Sequence, residues 1–347
     1  MQRPEETATV AEREMDQNGR RTELTDAQCE ALDALRAARR IVLTGHERPD
    51  GDCIGAQAAL SRVLAAFGKD VRILNPGPPE GQFDYLSREC DYGVDDGGTL
   101  PEHDLVVLLD CSELSRTGTL ANRFAAADSL KLVIDHHVLP AEIWWDAAFH
   151  DVSAAATGLL VHRIARALGV ALDAVAAHGV FTSLVTDTGW FKYSNTDAES
   201  FRVAGELVES GVHPADLFAT IYQRRSEEHP RLVGRVLDRL HYHADGRLAL
   251  VDLPLAADGR AMDLETDDVL DLLRSVEAVE VVLLVREVEK GICKLSARSK
   301  TDYNVNELAR SFGGGGHVKA SGATIRGQRE DVCARVVAAG VAGFEKS

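Results

Sequence analysis

Residues 45–55 read GHERPDGDCIG. They follow a short apolar run, IVLT (41–44), and lead into an apolar helical pattern, IGAQAALSRVLAAFG (54–68). His46, Asp50 and Asp52 therefore stand where a buried strand gives way to a helix. The same pattern recurs downstream. VRILN (71–75), LVVLLD (105–110) and LKLVID (130–135) are further apolar runs. The last two end in Asp110 and Asp135, and Asp135 is followed directly by His136 and His137. Short, fully apolar strands alternating with helices predict an α/β fold with a parallel sheet and flanking helices. Ligands of such sheets gather at the carboxyl ends of the strands. The topology thus predicts one edge that collects Asp50, Asp52, Asp110 and Asp135. Asp187, in a helical stretch over 172–188, is a further candidate for that edge.

An aspartate after a strand is ordinarily a turn residue or a helix N-cap. A lone histidine is ordinarily a hydrogen-bonded core residue. The convergence is what changes the reading. Several carboxylates cannot stay ionised side by side without a counter-charge. Two divalent cations supply it, and imidazole with carboxylate suits Mn²⁺, Zn²⁺, Fe²⁺ or Co²⁺ better than Ca²⁺. Residue chemistry alone predicts a two-metal centre that hydrolyses a phosphate ester or anhydride.

A chain of 347 residues is long enough for two domains. Helical patterns fill 154–223. RRSEEHPRL (224–232) is charged and carries proline, as a linker does. Strand patterns then return at 247–253, 279–288 and 293–300, with a helix over 304–312 and a closing helix over 329–343. The expected organisation is a solvated tail over 1–22, a catalytic α/β domain over 23–223, a linker over 224–235, and a smaller α/β domain over 236–347. The active site is expected in the cleft between the two domains. The net charge of −17 excludes a protein that tracks along long duplex nucleic acid, which needs many phosphate contacts. It does not exclude a short anionic substrate. No apolar run is long enough for a membrane span, and the N-terminus carries no signal-like apolar core. Six cysteines without a CxxC pair predict reduced thiols and a cytoplasmic protein. Cys53 and Cys111, which flank the acidic motifs, read as small buried fillers.

In KLSARSK (294–300), strand alternation puts Lys294, Ser296, Arg298 and Lys300 on one face, with Leu295, Ala297 and Ser299 on the other. The plain reading is a solvated strand face. The functional one has Arg298 clamping a phosphate or stacking on a base. GGGGH (313–317) is either a flexible loop or a place where Gly314, Gly315 and Gly316 let backbone N–H groups close on an anion, with His317 beside them. Asn306 reads equally as a helix cap or a further contact. Thr157 reads as a plain cap, and Trp144 with Trp145 as packing.

HERPDGD (46–52), LLDCSE (108–113), VIDHH (133–137) and TDTG (186–189) resemble the four ordered motifs of the DHH phosphoesterase family. SARS (296–299) and GGGGH resemble its companion DHHA1 domain. The resemblance covers about residues 38–345. It implies that His46 and Asp50 hold one metal, that Asp52, His136 and Asp187 hold the other, and that Asp110 bridges them. It further implies that His137 reaches the scissile phosphate and that Asp135 orients an imidazole. The implied metal is Mn²⁺. Arg298, Ser296, Gly314, Gly315, Gly316 and His317 would bind the nucleotide beyond the scissile bond. Among family members the chain is most similar to the stand-alone NrnA-like nanoRNases. These also remove a phosphate from 3′-phosphoadenosine 5′-phosphate. Substrates would be short RNA oligonucleotides or small phosphorylated nucleotides. A homodimer is common among such proteins, although no residue here marks one. The alternatives are a cyclic or linear dinucleotide phosphodiesterase (cyclic di-AMP or pApA) and a single-strand-specific exonuclease. A catalytically silent nucleotide-binding regulator would lack a ligand of the pattern, and none is lacking.

Overall fold

The computed structural model describes residues 24–262 and 266–344. The expected tail over 1–22 lies outside the described residues. The chain divides into two compact units between Arg224 and Arg225.

Unit 1 is built on six strands: β1 (Arg40–Thr44), β2 (Asp70–Asn75), β3 (Tyr92–Val94), β4 (Leu105–Leu109), β5 (Leu130–Asp135) and β6 (Ala147–His150). They form one sheet in the order β3-β2-β1-β4-β5-β6, with every pairing parallel. Its helices are α1 (Asp26–Ala37), α2 (Gly51–Ala66), α3 (Asp84–Ser87), α4 (Ala121–Ala125), α5 (Thr157–Leu168), α6 (Ala174–Asp187), α7 (Ala198–Glu209) and α8 (Pro214–Tyr222). The apolar runs are continuous because both faces of the sheet are covered. Ile41 and Leu43 of β1 point into the larger core, beneath helices that include α2, α5 and α6. Val42 between them joins Val106, Leu120 and Phe124 on the opposite face. That second face is thinly covered. Short α4 lies over part of it, and Trp144 and Trp145 pack on Leu108, Cys111 and Val133. The strand order runs outward in both directions from the adjacent pair β1 and β4. Their carboxyl ends therefore flank the topological switch point, where an open α/β sheet leaves a crevice.

Two helices above this point touch through glycine. A Cβ on Gly55 of α2 would stand 2.4 Å from the Gly179 carbonyl oxygen of α6. A Cβ on Gly179 would stand 2.6 Å from the Gly55 carbonyl oxygen. The obstacle is backbone, which cannot rotate aside. Gly55→Leu is therefore expected to lower stability by about 1–3 kcal/mol or more through overpacking, read as a reduced urea midpoint. An unchanged midpoint would show that the helices can separate freely.

Unit 2 contains α9 (Glu228–Leu237), β7 (Leu240–His243), β8 (Leu248–Leu253), α10 (Thr266–Arg274), β9 (Val281–Glu289), β10 (Ile292–Ser299), α11 (Val305–Arg310), β11 (Gly315–Gly316), β12 (Ala320–Arg326) and α12 (Arg329–Gly343). The sheet order is β11-β12-β10-β9-β8-β7; among the described residues only β8 and β9 pair in parallel. One core takes in Leu295, Ala297, Val305, Leu308, Val332 and Val336, and joins the sheet to α11 and α12. The other joins the opposite face, through Val251, Val282 and Leu284, to α9 and α10. The residues expected as a linker include most of α9. Leu232, Val233 and Val236 pack on that second core, which is why a charged, proline-bearing stretch is helical. Among the described residues, no helix is long and apolar enough to cross a membrane.

Candidate active site

The acidic helix start in GHERPDGDCIG explains itself locally. Asp50 is the N-cap of α2, and its Oδ1 accepts from the backbone N–H groups of Asp52 and Cys53, both at 3.1 Å. The helix therefore begins at Gly51, three residues before the apolar pattern. Asp52, in its first turn, is buried. Its Oδ2 accepts from Thr157 N–H at 2.9 Å, and its Oδ1 accepts from Gly158 N–H at 3.3 Å and from the Ser183 hydroxyl. The amino end of α5 thus points two backbone donors at one carboxylate, a favourable place for negative charge.

Asp110 follows β4 with φ +61°, in the left-handed region that Asp and Asn tolerate better than most residues. The turn brings the carboxylate back across the strand ends. Its Oδ1 accepts from Thr157 Oγ1 at 3.1 Å and lies 3.7 Å from His136 Nε2. Its Oδ2 lies 3.5 Å from His46 Nε2. One carboxylate therefore faces two imidazoles through separate oxygens.

His136 donates from Nδ1 to the Ala154 carbonyl at 3.0 Å, which turns Nε2 toward the carboxylates. That Nε2 is buried with no hydrogen-bond partner. It lies 3.4 Å from Asp52 Oδ2, 3.7 Å from Asp110 Oδ1 and 3.8 Å from Asp187 Oδ2. An imidazole nitrogen turned toward three carboxylates calls for positive charge between them, and a metal cation held by all four groups supplies it. Asp52, His136 and Asp187 offer ligand atoms within 4.8 Å of one another, as do Asp110, His136 and His137, and His46, Cys53 and Asp110. Asp50 is not in these groups, although its charge acts on both His46 and Asp110.

The protonation states carry the same message. Burial, then the charges of Asp52, Asp50, Asp135 and Asp187, holds the Asp110 carboxyl well above the ordinary carboxylate range. Burial and the Asp52 charge push Asp187 up to about 7. Burial lowers His46. The buried Cys53 thiol is pushed far up by burial, then by Asp110, so it stays protonated as a filler would.

Asp135 and His137 form a separate pair. Asp135, fully buried at the end of β5, accepts at Oδ1 from His137 N–H at 3.1 Å and from His137 Nδ1 at 2.8 Å. Its bond to Asp135 raises the His137 pKa despite burial. Burial works to raise the Asp135 carboxyl, but the bond and charge of His137 outweigh it and hold the group low.

Three residues escaped the sequence reading or were undervalued by it. Thr157 was read as a plain cap; it instead gives its hydroxyl to Asp110 and its N–H to Asp52. Ser183 lies one helical turn before Asp187, a spacing that marks a shared helix face. Asn195 donates to Asp187 Oδ2 at 3.1 Å and to the Ala155 carbonyl at 3.0 Å, and no local pattern announces it.

In unit 2, Lys294, Ser296 and Arg298 share the partly exposed face of β10, while Leu295, Ala297 and Ser299 are buried. Lys300 leaves this set, because its Nζ donates to the Val276 and Glu277 carbonyls at 2.7 and 2.9 Å. GGGGH is ordered rather than a loose loop. Gly313 and Gly314 N–H groups bond the Arg310 and Ala309 carbonyls at the end of α11, so these two do not form an anion nest. Gly315 and Gly316 pair with Gly322 and Ser321. His317 is exposed, in a tight turn closed by its N–H to the Ala320 carbonyl at 2.8 Å. The cap of α11 is Asn304, not Asn306.

A carboxylate and imidazole cluster at the switch point of a parallel sheet, joined in one chain to a mixed-sheet unit, defines a two-domain α/β phosphoesterase. Residues 40–185 match the model of the DHH family, N-terminal domain, and residues 257–339 match that of the DHHA1 domain. The chain belongs to the DHH family. It is 35% identical over 289 residues to the bifunctional oligoribonuclease and PAP phosphatase NrnA of Thermus thermophilus, covering 83% of this chain and 84% of that protein. It is 26% identical over 291 residues to the protein of the same name from Bacillus subtilis, covering 82% and 89%. Among solved structures, an exopolyphosphatase-related protein from Bacteroides fragilis matches with a TM-score of 0.83 and 26% identity, over 93% of this chain and 98% of that one.

Proposed function

We propose that the chain is a divalent-metal-dependent phosphoesterase that cleaves short RNA oligonucleotides to mononucleotides and removes a phosphate from 3′-phosphoadenosine 5′-phosphate. The observation that carries this reading is the buried, unpartnered Nε2 of His136 facing Asp52, Asp110 and Asp187. The names of the two NrnA relatives support the substrate class. Asp52, His136 and Asp187 would hold one ion and His46 with Asp50 a second, with Asp110 offering one oxygen to each. Imidazole and carboxylate donors suit Mn²⁺ among several transition-metal ions, and the family resemblance selects Mn²⁺ from that set. Bound there, a cation pair supplies Lewis acidity toward the phosphoryl group and acidifies water. The protein's own groups do the rest. Thr157, Gly158 and Ser183 fix Asp52 in one orientation. His137, whose pKa its bond to Asp135 raises, donates toward the phosphoryl oxygens where charge accumulates. Arg298, Ser296, Gly315, Gly316 and His317 hold the remainder of the nucleotide, without the Gly314 N–H, which is taken by the Ala309 carbonyl. The six free cysteines fit a cytoplasmic setting.

The test is a substrate panel with Mn²⁺: dinucleotide RNA, a 24-mer, pApA, cyclic di-AMP and 3′-phosphoadenosine 5′-phosphate. Preference for the 24-mer defeats the short-substrate reading. Undiminished turnover after full chelation defeats the metal reading.

Stability carries a second signature. With their pKa values raised, Asp110 and Asp187 keep protons in the folded chain that the unfolded chain releases near pH 4. Folding is then progressively disfavoured as pH rises from about 4 toward 7. His137, also raised, acts in the same direction near neutrality, and lowered His46 opposes it. Melting temperatures of chelated protein should fall between pH 5 and 7.5, and Mn²⁺ should remove most of that slope. Identical slopes with and without Mn²⁺ would sink this account.

A further inference from the structure

Directly after Asp187 the backbone takes an unusual path. Gly189, Trp190 and Phe191 are left-handed in succession, with φ of +54°, +57° and +63°. Glycine enters that region freely, whereas bulky residues such as tryptophan and phenylalanine do so at a cost that their surroundings must offset. Here the surroundings are aromatic. The Trp190 ring meets Phe181, Phe218 and Tyr222 at centroid distances of 6.3, 5.0 and 6.1 Å. Phe191 stacks on Phe201 at 5.0 Å. Thr188 closes the turn from inside. Its carbonyl accepts from the Lys192 and Tyr193 N–H groups, both at 3.0 Å, and its Oγ1 accepts from Phe191 N–H at 3.1 Å. The chain therefore doubles back, and Asn195 returns to Asp187.

Asp187 is the carboxylate with the most freedom to lose. It is the last residue of α6, and its side chain is 33% exposed, against 3% for Asp52 and for Asp110. Among the described residues, Asn195 is the only hydrogen-bond donor to its carboxylate, whereas Asp52 has three. The Asn195 amide nitrogen lies 3.1 Å from Asp187 Oδ2, 3.1 Å from the Asp187 carbonyl and 3.0 Å from the Ala155 carbonyl. Carbonyls can only accept, so the nitrogen of the amide, not its oxygen, must face them. Ala155 is fully buried, and the backbone around it already serves the site. The Ala154 carbonyl accepts from His136 Nδ1, and the Thr157 and Gly158 N–H groups donate to Asp52. Residues 154–158 are thus one frame, to which His136 and Asp52 are tied directly and Asp187 through Asn195.

We propose that Asn195 is a positioning residue: it holds the Asp187 carboxylate on the backbone frame that orients His136 and Asp52, so that the three groups meet a divalent cation already aligned. The left-handed turn is the device that returns the amide to its place. This rests on the reading of Asp52, His136 and Asp187 as a cation site and deepens it. Without the amide, Asp187 rotates toward water at the helix end, and every binding event has to order it again. Partners that orient metal ligands in this way are worth about 10–100-fold in affinity.

The test uses the full chain, stripped of metal. Mn²⁺ binding is measured by calorimetry, with no substrate present, for the wild type, Asn195→Ala and the control Ser194→Ala. Both side chains are exposed in the same loop, so neither change should lower the melting temperature of the metal-free chain by more than about 4 °C. Asn195→Ala should weaken the binding of one Mn²⁺ by about 10–100-fold, and half-maximal activation of turnover should need Mn²⁺ higher by the same factor. Ser194→Ala should match the wild type in both. Three results would each overturn the proposal: wild-type Mn²⁺ affinity in Asn195→Ala, an equal loss in Ser194→Ala, or a loss in Asn195→Ala that comes with a larger fall in melting temperature than this. The last would make Asn195 a residue of the fold instead. The wild-type arm separates the two readings. A wild type that takes up Mn²⁺ no more tightly than Asn195→Ala leaves the cation site standing without its positioning residue. A wild type that takes up no Mn²⁺ defeats the cation site itself, and the proposal with it.

Discussion

Asp110→Asn is expected to lower kcat/KM with Mn²⁺ by about 10²–10³-fold, the scale on which single electrostatic contacts to a transition state act. The same variant, stripped of metal, should melt higher than the wild type. Both effects come from one carboxylate. Asn fits the volume and tolerates the left-handed backbone at φ +61°, so the turn after β4 survives. The hydrogen bond from Thr157 Oγ1 survives too, with the amide oxygen as acceptor. What disappears is a carboxyl that folding forces to hold its proton at neutral pH, because burial and four neighbouring aspartates disfavour its ionised form. Relief worth about 1 kcal/mol raises the melting temperature of a domain this size by roughly 2–4 °C. Bound Mn²⁺, counted after desalting, should fall as well, because Asp110 faces His46 through one oxygen and His136 through the other. A variant that melts lower in EDTA would refute the repulsion argument. One that retains wild-type turnover would remove Asp110 from the chemistry.

His137→Ala should separate chemistry from metal binding. The ring is held by Asp135 at 2.8 Å, and that bond raises its pKa. Removing it should lower kcat by about 10²–10⁴-fold, the usual contribution of a positioned proton donor, while Mn²⁺ content stays near wild type. His136→Ala is the contrast. That ring aims its unpartnered Nε2 at three carboxylates, so its loss should empty the site. If His137→Ala is the variant that loses the cation, the two histidines have been given each other's tasks.

The position of the site was legible because apolar strands ending in acids are a local signal, and parallel topology then aligns their ends. Asp110 and Asp135 could be assigned to one edge from LVVLLD and LKLVID alone. The hydrogen bonds that aim these acids could not. Thr157 and Ser183 meet Asp52 across 105 and 131 positions of chain, and no local pattern encodes such a meeting. The left-handed turn at Asp110 was equally silent, since aspartate occurs in every kind of turn. In unit 2 the alternation of KLSARSK was readable, being a property of a single strand. The pairing of Lys294 with Arg286 required knowing which strand lies next to β10. The stretch around 224–235 misled for the opposite reason. Its composition is that of a connector, yet Leu232, Val233 and Val236 have a core to cover.

The glycine contact between α2 and α6 has a physiological corollary. Because main chain rests on main chain there, the helices stand at the shortest spacing they can reach, which keeps the negative groups nearby crowded together. Ion uptake relieves that crowding in the metal-free enzyme. Free ion at a hundred times its dissociation constant would then add about 2.7 kcal/mol to the folded state. Scarcity of the ion would thus deplete the enzyme as well as idle it, because the emptied form opens more often to proteases.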